Sequence, residues 1–187
     1  MSCLTACSPE VTPMVLATCS VTTKPGGIRA IGVMLCDAEF SDVSGGAITD
    51  AATWQTLIDD AKIFVSGQVI GSKAQGSDTN TRVASCLPEV KTGSTKTISV
   101  RDYNSDPTNF TEYDFYSSIE QNAGYLKFFY ITCDELVYFY ENGIWSASID
   151  DVRPETKEEA THMAITVTVN ELGIKTPVKV VGILDII

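Results

Sequence analysis

The sequence is poor in the residues from which most catalytic and metal-binding sites are built. It contains a single histidine, His162, and its six cysteines are scattered without forming a C-x-x-C pair. His162 falls in an alternating, strand-like stretch that has no serine or cysteine nucleophile motif, so we expect it to be an ordinary residue on a polar face. The sequence therefore predicts no enzyme: no catalytic residue, no metal site and no cofactor.

Two short motifs come near ligand-binding signatures and then depart from them. Asp102, Asn104 and Asp106 match the first, third and fifth positions of a calcium loop. The sixth and twelfth positions are Pro107 and Tyr113, where that loop requires glycine and a bidentate glutamate. The stretch GQVIGSK resembles a phosphate-binding loop, but its glycines are one residue too close. We interpret the first motif as a turn with a helix cap and the second as the end of a strand.

Positive charge is also scarce. The chain has 13 Lys and Arg against 24 Asp and Glu, a net charge of −11, and most of the excess lies between Asp102 and Ala160. Because affinity for phosphate groups comes from basic side chains that replace counterions, such a surface is expected to repel nucleic acid and anionic membranes. Adjacent acidic residues in strands point to opposite faces, so they do not form a ready-made catalytic pair.

The sequence lacks an apolar run long enough to cross a membrane. Its segments LTAC at 4–7 and LATC at 16–19 resemble the end of a lipoprotein signal, but the first basic residue is Lys24, and Glu10 and two prolines interrupt the segment. We therefore interpret residues 1–27 as an N-terminal arm. Residues 28–187 are predicted to form a single β-rich domain, large enough to bury a core without metal or disulfide.

The cysteines are expected to be free thiols. Cys36, Cys86 and Cys133 lie in or beside apolar, strand-like runs, where a reduced cysteine behaves as a small hydrophobe and should be shielded. The remaining three, Cys3, Cys7 and Cys19, fall in the N-terminal arm.

What is present is a strand-rich pattern with two helical segments. The stretches IRAIGVMLC, IFVSGQVIGSK, TRVASCL, KTISVRDY, HMAITVTVN and PVKVVGILDI predict strands. TDAATWQTLIDDAK predicts an amphipathic helix with Thr49 or Asp50 as N-cap. A second helix is predicted to start at Asp106-Pro107 and to end at Gly124. Its apolar stripe consists of Phe115, Tyr116, Ile119 and Ala123. The predicted fold is mainly β, a β-sandwich or barrel-like arrangement of antiparallel sheets with two short flanking α-helices.

Half of the sixteen aromatic residues cluster between positions 125 and 145. Asn142-Gly143 favours a two-residue type I′ turn. LVYFYE and IWSASID are therefore expected to form a hairpin, the second half of a three-stranded meander that GYLKFFYIT begins. Such a sheet needs one face packed inward, and its aromatic residues should form a core, or a core plus an interface. The candidates are Tyr125, Phe128, Tyr130, Tyr138, Tyr140 and Trp145.

The order of these segments resembles that of tail-tube and related ring-forming virion proteins of tailed bacteriophages. The resemblance covers residues 24–187 and follows a short arm, PGGIRAIGVM, a tryptophan-containing helix running into IFVSGQVIGSK, the aromatic meander and two closing strands. It implies a protomer that assembles side by side into a homo-oligomeric ring or tube, in contact with neighbouring tail or neck proteins. The assembly would form in the host cytoplasm, reside in the virion and pass genome DNA without specific binding. The long hairpin loop that joins stacked rings is not identifiable in the sequence, so tail tube, neck ring and tail adaptor stay open.

In such a ring, four acidic residues are candidates to face the lumen: Asp134, Glu135, Asp150 and Asp151. Basic walls would bind phosphates and slow the passage of DNA, whereas acidic walls avoid this. Loop carboxylates also commonly serve only solubility. The alternative function, from another class, is an extracytoplasmic β-sandwich binding module such as a surface lipoprotein or adhesin. A lipidated Cys7 or Cys19 would favour that alternative.

Overall fold

The computed structural model describes residues 27–74, 76–82, 89–103, 110–141, 143–153, 160–171 and 176–187. Within these ranges the chain is mainly β, with two short α-helices, which confirms the predicted fold class. The helices are α1 (Ala51–Asp59) and α2 (Phe110–Asn122). The strands are β1 (Ile28–Leu35), β2 (Ile63–Val65), β3 (Ile70–Lys73), β4 (Ser77–Thr81), β5 (Val90–Asp102), β6 (Leu126–Thr132), β7 (Leu136–Tyr140), β8 (Trp145–Val152), β9 (His162–Asn170) and β10 (Val178–Lys179).

The strands form one antiparallel sheet that curls on itself. Its order is β10-β7-β6-β1-β3-β5-β9-β8, with β2 also beside β1 and β4 also beside β5. Trp145 of β8, at one end of this order, packs against Phe128 of β6 with ring centroids 5.2 Å apart. The Trp145 indole also donates a hydrogen bond of 2.8 Å to the carbonyl oxygen of Leu126. The sheet is thus barrel-like, because these side-chain contacts bring β8 against β6 from the other side of the strand order.

Helix α2 lies along β8 and helps to close the curled sheet. Its predicted apolar stripe faces the inner core, where Tyr116 and Ile119 are buried with Phe115 packed beside them. Ala123 is buried too, but it belongs to a 3-10 turn, Ala123–Tyr125, because the α-helix ends at Asn122, before the predicted end at Gly124. The backbone amide of Ile149 on β8 donates to the Glu120 carboxylate of α2 at 3.4 Å. The helix therefore protects an edge strand that would otherwise be open to pairing. The predicted start of this helix at Asp106-Pro107 lies outside the described residues.

Both faces of the β1, β6 and β7 region are buried. The inner face carries residues such as Ile31, Val33 and Phe128, and the outer face carries Met34, Phe129 and Ile131. Helix α1 and the C-terminal residues 180–187 cover that outer face. This double burial explains why IRAIGVML is apolar at nearly every position.

Asp50, one of the two residues predicted as N-cap of the first helix, is the N-cap of α1. The Asp50 carboxylate accepts a hydrogen bond of 3.2 Å from the amide of Ala52, as an N-cap does. Trp54 and Leu57 are fully buried, and the Trp54 indole donates to the carbonyl oxygen of Ile48 at 2.8 Å. Ala61 lies beyond the end of the helix, with a φ of 55°.

The predicted hairpin at Asn142-Gly143 is wrong. Strand β7 pairs with β6 and β10, whereas β8 pairs with β9 over eight residues. Gly143 does have a positive φ of 78°, but the chain there passes from one end of the strand order to the other. The longer ladder with β9 outweighs the local turn preference. The first half of the predicted meander, the β6–β7 hairpin, is confirmed, and Asn142 lies outside the described residues.

Other strand predictions need smaller corrections. IFVSGQVIGSK forms two strands, because the Ser66 hydroxyl accepts a hydrogen bond from the amide of Ile31 where the ladder is interrupted. PVKVVGILDI contains only the two-residue β10, followed by a short 3-10 turn over Ile183–Asp185. The strand predicted over IWSASID continues past Asp150, so that Asp151 and Val152 also belong to β8. Most of TRVASCL lies outside the described residues.

The predicted shielding of the thiols is wrong for the two cysteines that the structure describes. Cys36 and Cys133 are free, as expected, but both are exposed. Each follows the last residue of a strand, Leu35 or Thr132, so its side chain leaves the buried face. The other four cysteines lie outside the described ranges.

Candidate functional site: a projecting hairpin and its buried anchor

A two-stranded hairpin extends beyond the rest of the sheet. It consists of β4 and residues 90–94 of β5, and we call it the projecting hairpin. Residues 95–102 of β5 pair with β9, whereas within the described strands residues 90–94 pair with β4 alone. Five residues at roughly 3.4 Å each give a projection of about 17 Å. All five β4 residues are exposed, and the outer edge of β4 has no partner strand in the described part of the chain.

Polar contacts, with little apolar burial, hold the projecting hairpin together. Lys91 Nζ lies 2.7 Å from Asp78 Oδ1, and the Ser94 hydroxyl donates to the same oxygen at 2.6 Å. These two hydrogen bonds lower the pKa of Asp78 below its ordinary value. The hydroxyls of Thr81 and Thr92 lie 3.0 Å apart. Because exposed ion pairs contribute little and a two-stranded hairpin alone is marginally stable, this element depends on its base.

A buried charge cluster fixes that base. Glu171, which is 4% exposed, accepts from Lys73 Nζ at 2.7 Å and from Lys96 Nζ at 3.2 Å. Lys73 Nζ also lies 2.6 Å from the Tyr140 hydroxyl. We call Glu171, Lys73, Lys96 and Tyr140 the Glu171 cluster. Its members come from the ends of β3, β7 and β9 and from β5, so the cluster ties four strands together where the hairpin leaves the sheet.

The backbone at the base is equally constrained. The amide of Glu171 donates to the carbonyl oxygen of Ser94 at 2.7 Å. Gly76, which precedes β4, has no room for a side chain, because an added Cβ would lie 2.5 Å from Lys96 Cγ and 2.6 Å from the Thr95 carbonyl oxygen. The direction in which the hairpin projects is therefore set by tight packing at its base.

Tyr140 of the Glu171 cluster and the adjacent Tyr130 remain neutral. Burial is the main cause that raises the pKa values of both hydroxyls. Tyr138 and Glu171 raise the pKa of Tyr130 further, and Tyr130 and Glu171 do so for Tyr140. Among the described residues, each buried side-chain nitrogen and oxygen has a hydrogen-bond partner. The arrangement is that of a satisfied structural anchor.

The aromatic candidates divide between core and surface. Phe128, Tyr130, Tyr140 and Trp145 are buried in the inner core. Tyr138 is half-buried and stacks on Tyr130 with centroids 4.7 Å apart. Tyr125 is 74% exposed, and it alone of the six offers most of its ring to a partner.

The acidic candidates lie on two different elements. Asp134 and Glu135 form the β6–β7 turn, where Glu135 pairs with Lys179 at 2.9 Å and accepts from the amide of Gly182 at 2.8 Å. Both contacts lower the pKa of Glu135. Asp150 is exposed on β8, and Asp151 pairs with Arg153 at 2.7 Å. Glu135 thus tethers the C-terminal residues, a role that sequence reasoning missed.

No family model, no curated protein and no solved structure matches the chain. In the ranges that the structure describes, no helix is both long and apolar enough to cross a membrane. The same ranges contain no group of three or more His, Cys, Asp or Glu side chains placed to hold a metal ion. His162 lies on β9 with its ring 4.9 Å from that of Tyr103.

Proposed function

We propose that this chain is a structural virion protein of a tailed phage, which assembles into a homo-oligomeric ring or tube through which the genome passes. The projecting hairpin is the observation that carries the proposal. Among the described strands, β4 pairs with β5 alone, so its other edge offers backbone donors and acceptors as a template for pairing with another chain. The edge of β8, by contrast, is covered by α2. The chain therefore protects one edge and presents another on a rigid base.

The hairpin also supports a choice among the three roles that the resemblance left open. Tail-tube proteins join stacked rings through a long hairpin loop, and we propose that the projecting hairpin serves as that element in this chain. We propose the tail tube as the role, in preference to neck ring or tail adaptor. Neighbouring tail or neck proteins would bind at the ends of the stack.

We also propose that the ring has an acidic lumen. Asp134, Glu135, Asp150 and Asp151 would reduce retention of DNA, because like charges repel the phosphates. Asp150 is the residue on which to test it, since reversal of Glu135 or Asp151 would also break an ion pair within the chain. Asp150→Lys should raise DNA retention at low salt, and unchanged retention would contradict an acidic lumen at this position.

Assembly is tested by native mass spectrometry and negative-stain imaging of the purified chain over a range of concentrations. We expect a closed ring of fixed stoichiometry or a tube. A variant in which Asn-Gly replaces residues 80–91 should keep the fold and lose the assembly. Ser148→Thr, on the exposed face of β8, is the matched control and should assemble normally. A wild-type chain that stays monomeric at every concentration would overturn the proposal.

A further inference from the structure

An apolar groove opens at the end of the domain where β1 finishes. Its volume is about 700 Å³, and it lies between α2 and the ends of β1, β2 and β6. Apolar side chains from Leu35, Phe64, Phe115, Ile119 and Leu126 line it, and Tyr125 stands at its side. Phe64 is 39% exposed and Tyr125 is 74% exposed, so two large rings beside the groove are open to water. A concave apolar surface with exposed rings is a candidate interaction site.

The chain itself contains a segment suited to this groove. Positions 11–23 of the N-terminal arm carry no charged residue, and the stretch VTPMVLATCSV at 11–21 is predominantly apolar. The groove is lined by Asp37 and Asp114 as well as by apolar groups. An acidic peptide would be repelled by these carboxylates. Asp37 and Asp114 are exposed, so an uncharged apolar peptide could cover the apolar lining while both carboxylates stay in water.

The place where the arm leaves the domain favours binding between copies. Gly27 lies beside Cys133, whose amide donates to the Gly27 carbonyl oxygen at 3.2 Å. The groove lies past Leu35, at the other end of β1, about 26 Å away along an extended strand. An arm that leaves one end of a protomer and a groove that opens at the other form a head-to-tail pair. Such heterologous contacts build closed rings or open stacks.

We propose that the apolar groove binds residues 11–21 of the N-terminal arm of a second copy of this chain. The inference rests on the proposed function, because it requires self-assembly, and it adds a second contact to that of the projecting hairpin. Binding would remove Phe64 and Tyr125 from water together with the apolar residues of the arm, a favourable change that grows with the apolar area buried.

Cysteine positions allow a direct test. Cys36 lines the groove and is a free, exposed thiol, and Cys19 lies within the segment proposed to bind. A full-length variant keeping only these two cysteines is prepared in ¹⁴N and ¹⁵N forms, mixed, allowed to assemble and oxidised with copper phenanthroline. We expect Cys19–Cys36 disulfide peptides that combine the two isotopes. The matched control keeps Cys19 and Cys133 instead, and should give no mixed-isotope disulfide.

The outcomes separate this inference from the proposed function. Assembly, seen by native mass spectrometry, without mixed-isotope Cys19–Cys36 peptides would overturn the arm contact and leave the ring standing. Same-isotope peptides alone would show that the arm returns to its own groove, which also overturns the inference. A chain that stays monomeric would overturn both. Leu16→Asp, in the arm, should reduce the mixed-isotope product several-fold, and an unchanged yield would contradict burial of this segment.

Discussion

The region around β1, β6 and β7 and the projecting hairpin are built on opposite principles. The first buries both faces of its strands, between the inner core and the layer formed by α1 and the C-terminal residues. The second exposes all of β4, and hydroxyls and surface ion pairs hold its two sides together. Stability therefore resides in the first region, and the second is free to be stabilised by a partner.

The Glu171 cluster connects the two regions. Buried ionic groups add little net stability compared with apolar packing, but they specify geometry, and they are costly once one partner is removed. Here they join the ends of three strands to β5 at the base of the hairpin. We infer that the cluster serves to hold the hairpin in one direction relative to the sheet.

The largest expected effect comes from breaking the doubly buried region. Trp54→Ala should lower the free energy of unfolding by about 4 kcal/mol, because a fully buried ring would leave a cavity beside Phe129 and Phe139. Chemical denaturation measures the loss. Tyr125→Ala, at an exposed ring, is the control and should leave stability unchanged. An equal loss of unfolding free energy in both variants would contradict the conclusion that the doubly buried region carries the stability.

A somewhat smaller loss of stability is expected from a substitution in the Glu171 cluster. Glu171→Gln leaves Lys73 and Lys96 without their carboxylate and should cost about 3 kcal/mol of folding free energy. Glu141→Gln, at an exposed residue that follows β7, is the control. If Glu171→Gln were as stable as the wild type, the cluster would not be an anchor.

Sequence reasoning predicted the elements of the doubly buried region because their signals are local. The apolar run of β1 and the Asp50 cap of α1 each lie within one element. The same holds outside that region for β9, where Met163, Ile165, Val167 and Val169 alternate with less buried residues. The Glu171 cluster had no such signal, since Lys73 and Glu171 are 98 positions apart. The projecting hairpin was missed because Ser, Asp and Asn are poor strand formers, and β4 owes its conformation to pairing with β5.

The predicted pairing of β7 with β8 was also wrong. Asn142-Gly143 predicts a tight turn from two residues, but pairing is decided by which whole strands match. Trp145, Ala147 and Ile149 point into the inner core when β8 lies beside β9. That arrangement depends on residues some twenty positions further along the chain, and a local turn signal cannot report it.

A substitution at the base of the hairpin should have a moderate effect. Gly76→Ala places a methyl group against the Thr95 carbonyl and the Lys96 side chain and should cost about 1–2 kcal/mol. Gly124→Ala, where an added methyl group meets nothing within 4 Å, is the matched control. Thermal unfolding compares the two. A neutral Gly76→Ala would show that the base is less tightly packed than the structure indicates.

The smallest effect is a dependence of stability on alkaline pH. The pKa values of Tyr130 and Tyr140 are raised in the folded chain above the ordinary tyrosine value of about 10. Their contribution is therefore fully present below that pH and is lost as the pH rises toward the folded values. Denaturation at about pH 8 and about pH 11 should show the loss, and Tyr140→Phe should reduce it. If Tyr140→Phe had the same pH dependence of stability as the wild type, Tyr140 would not be a source of that dependence.

Hydrogen exchange can show which region contacts another copy. We propose that the projecting hairpin forms those contacts and that the doubly buried region only supports it. Amide exchange is followed by mass spectrometry in dilute monomer and in the assembled particle. We expect β4 amides to exchange rapidly in the monomer and to become protected on assembly, while the amides of β1 and β6 are protected in both states. Assembly that leaves β4 as unprotected as in the monomer would contradict this proposal.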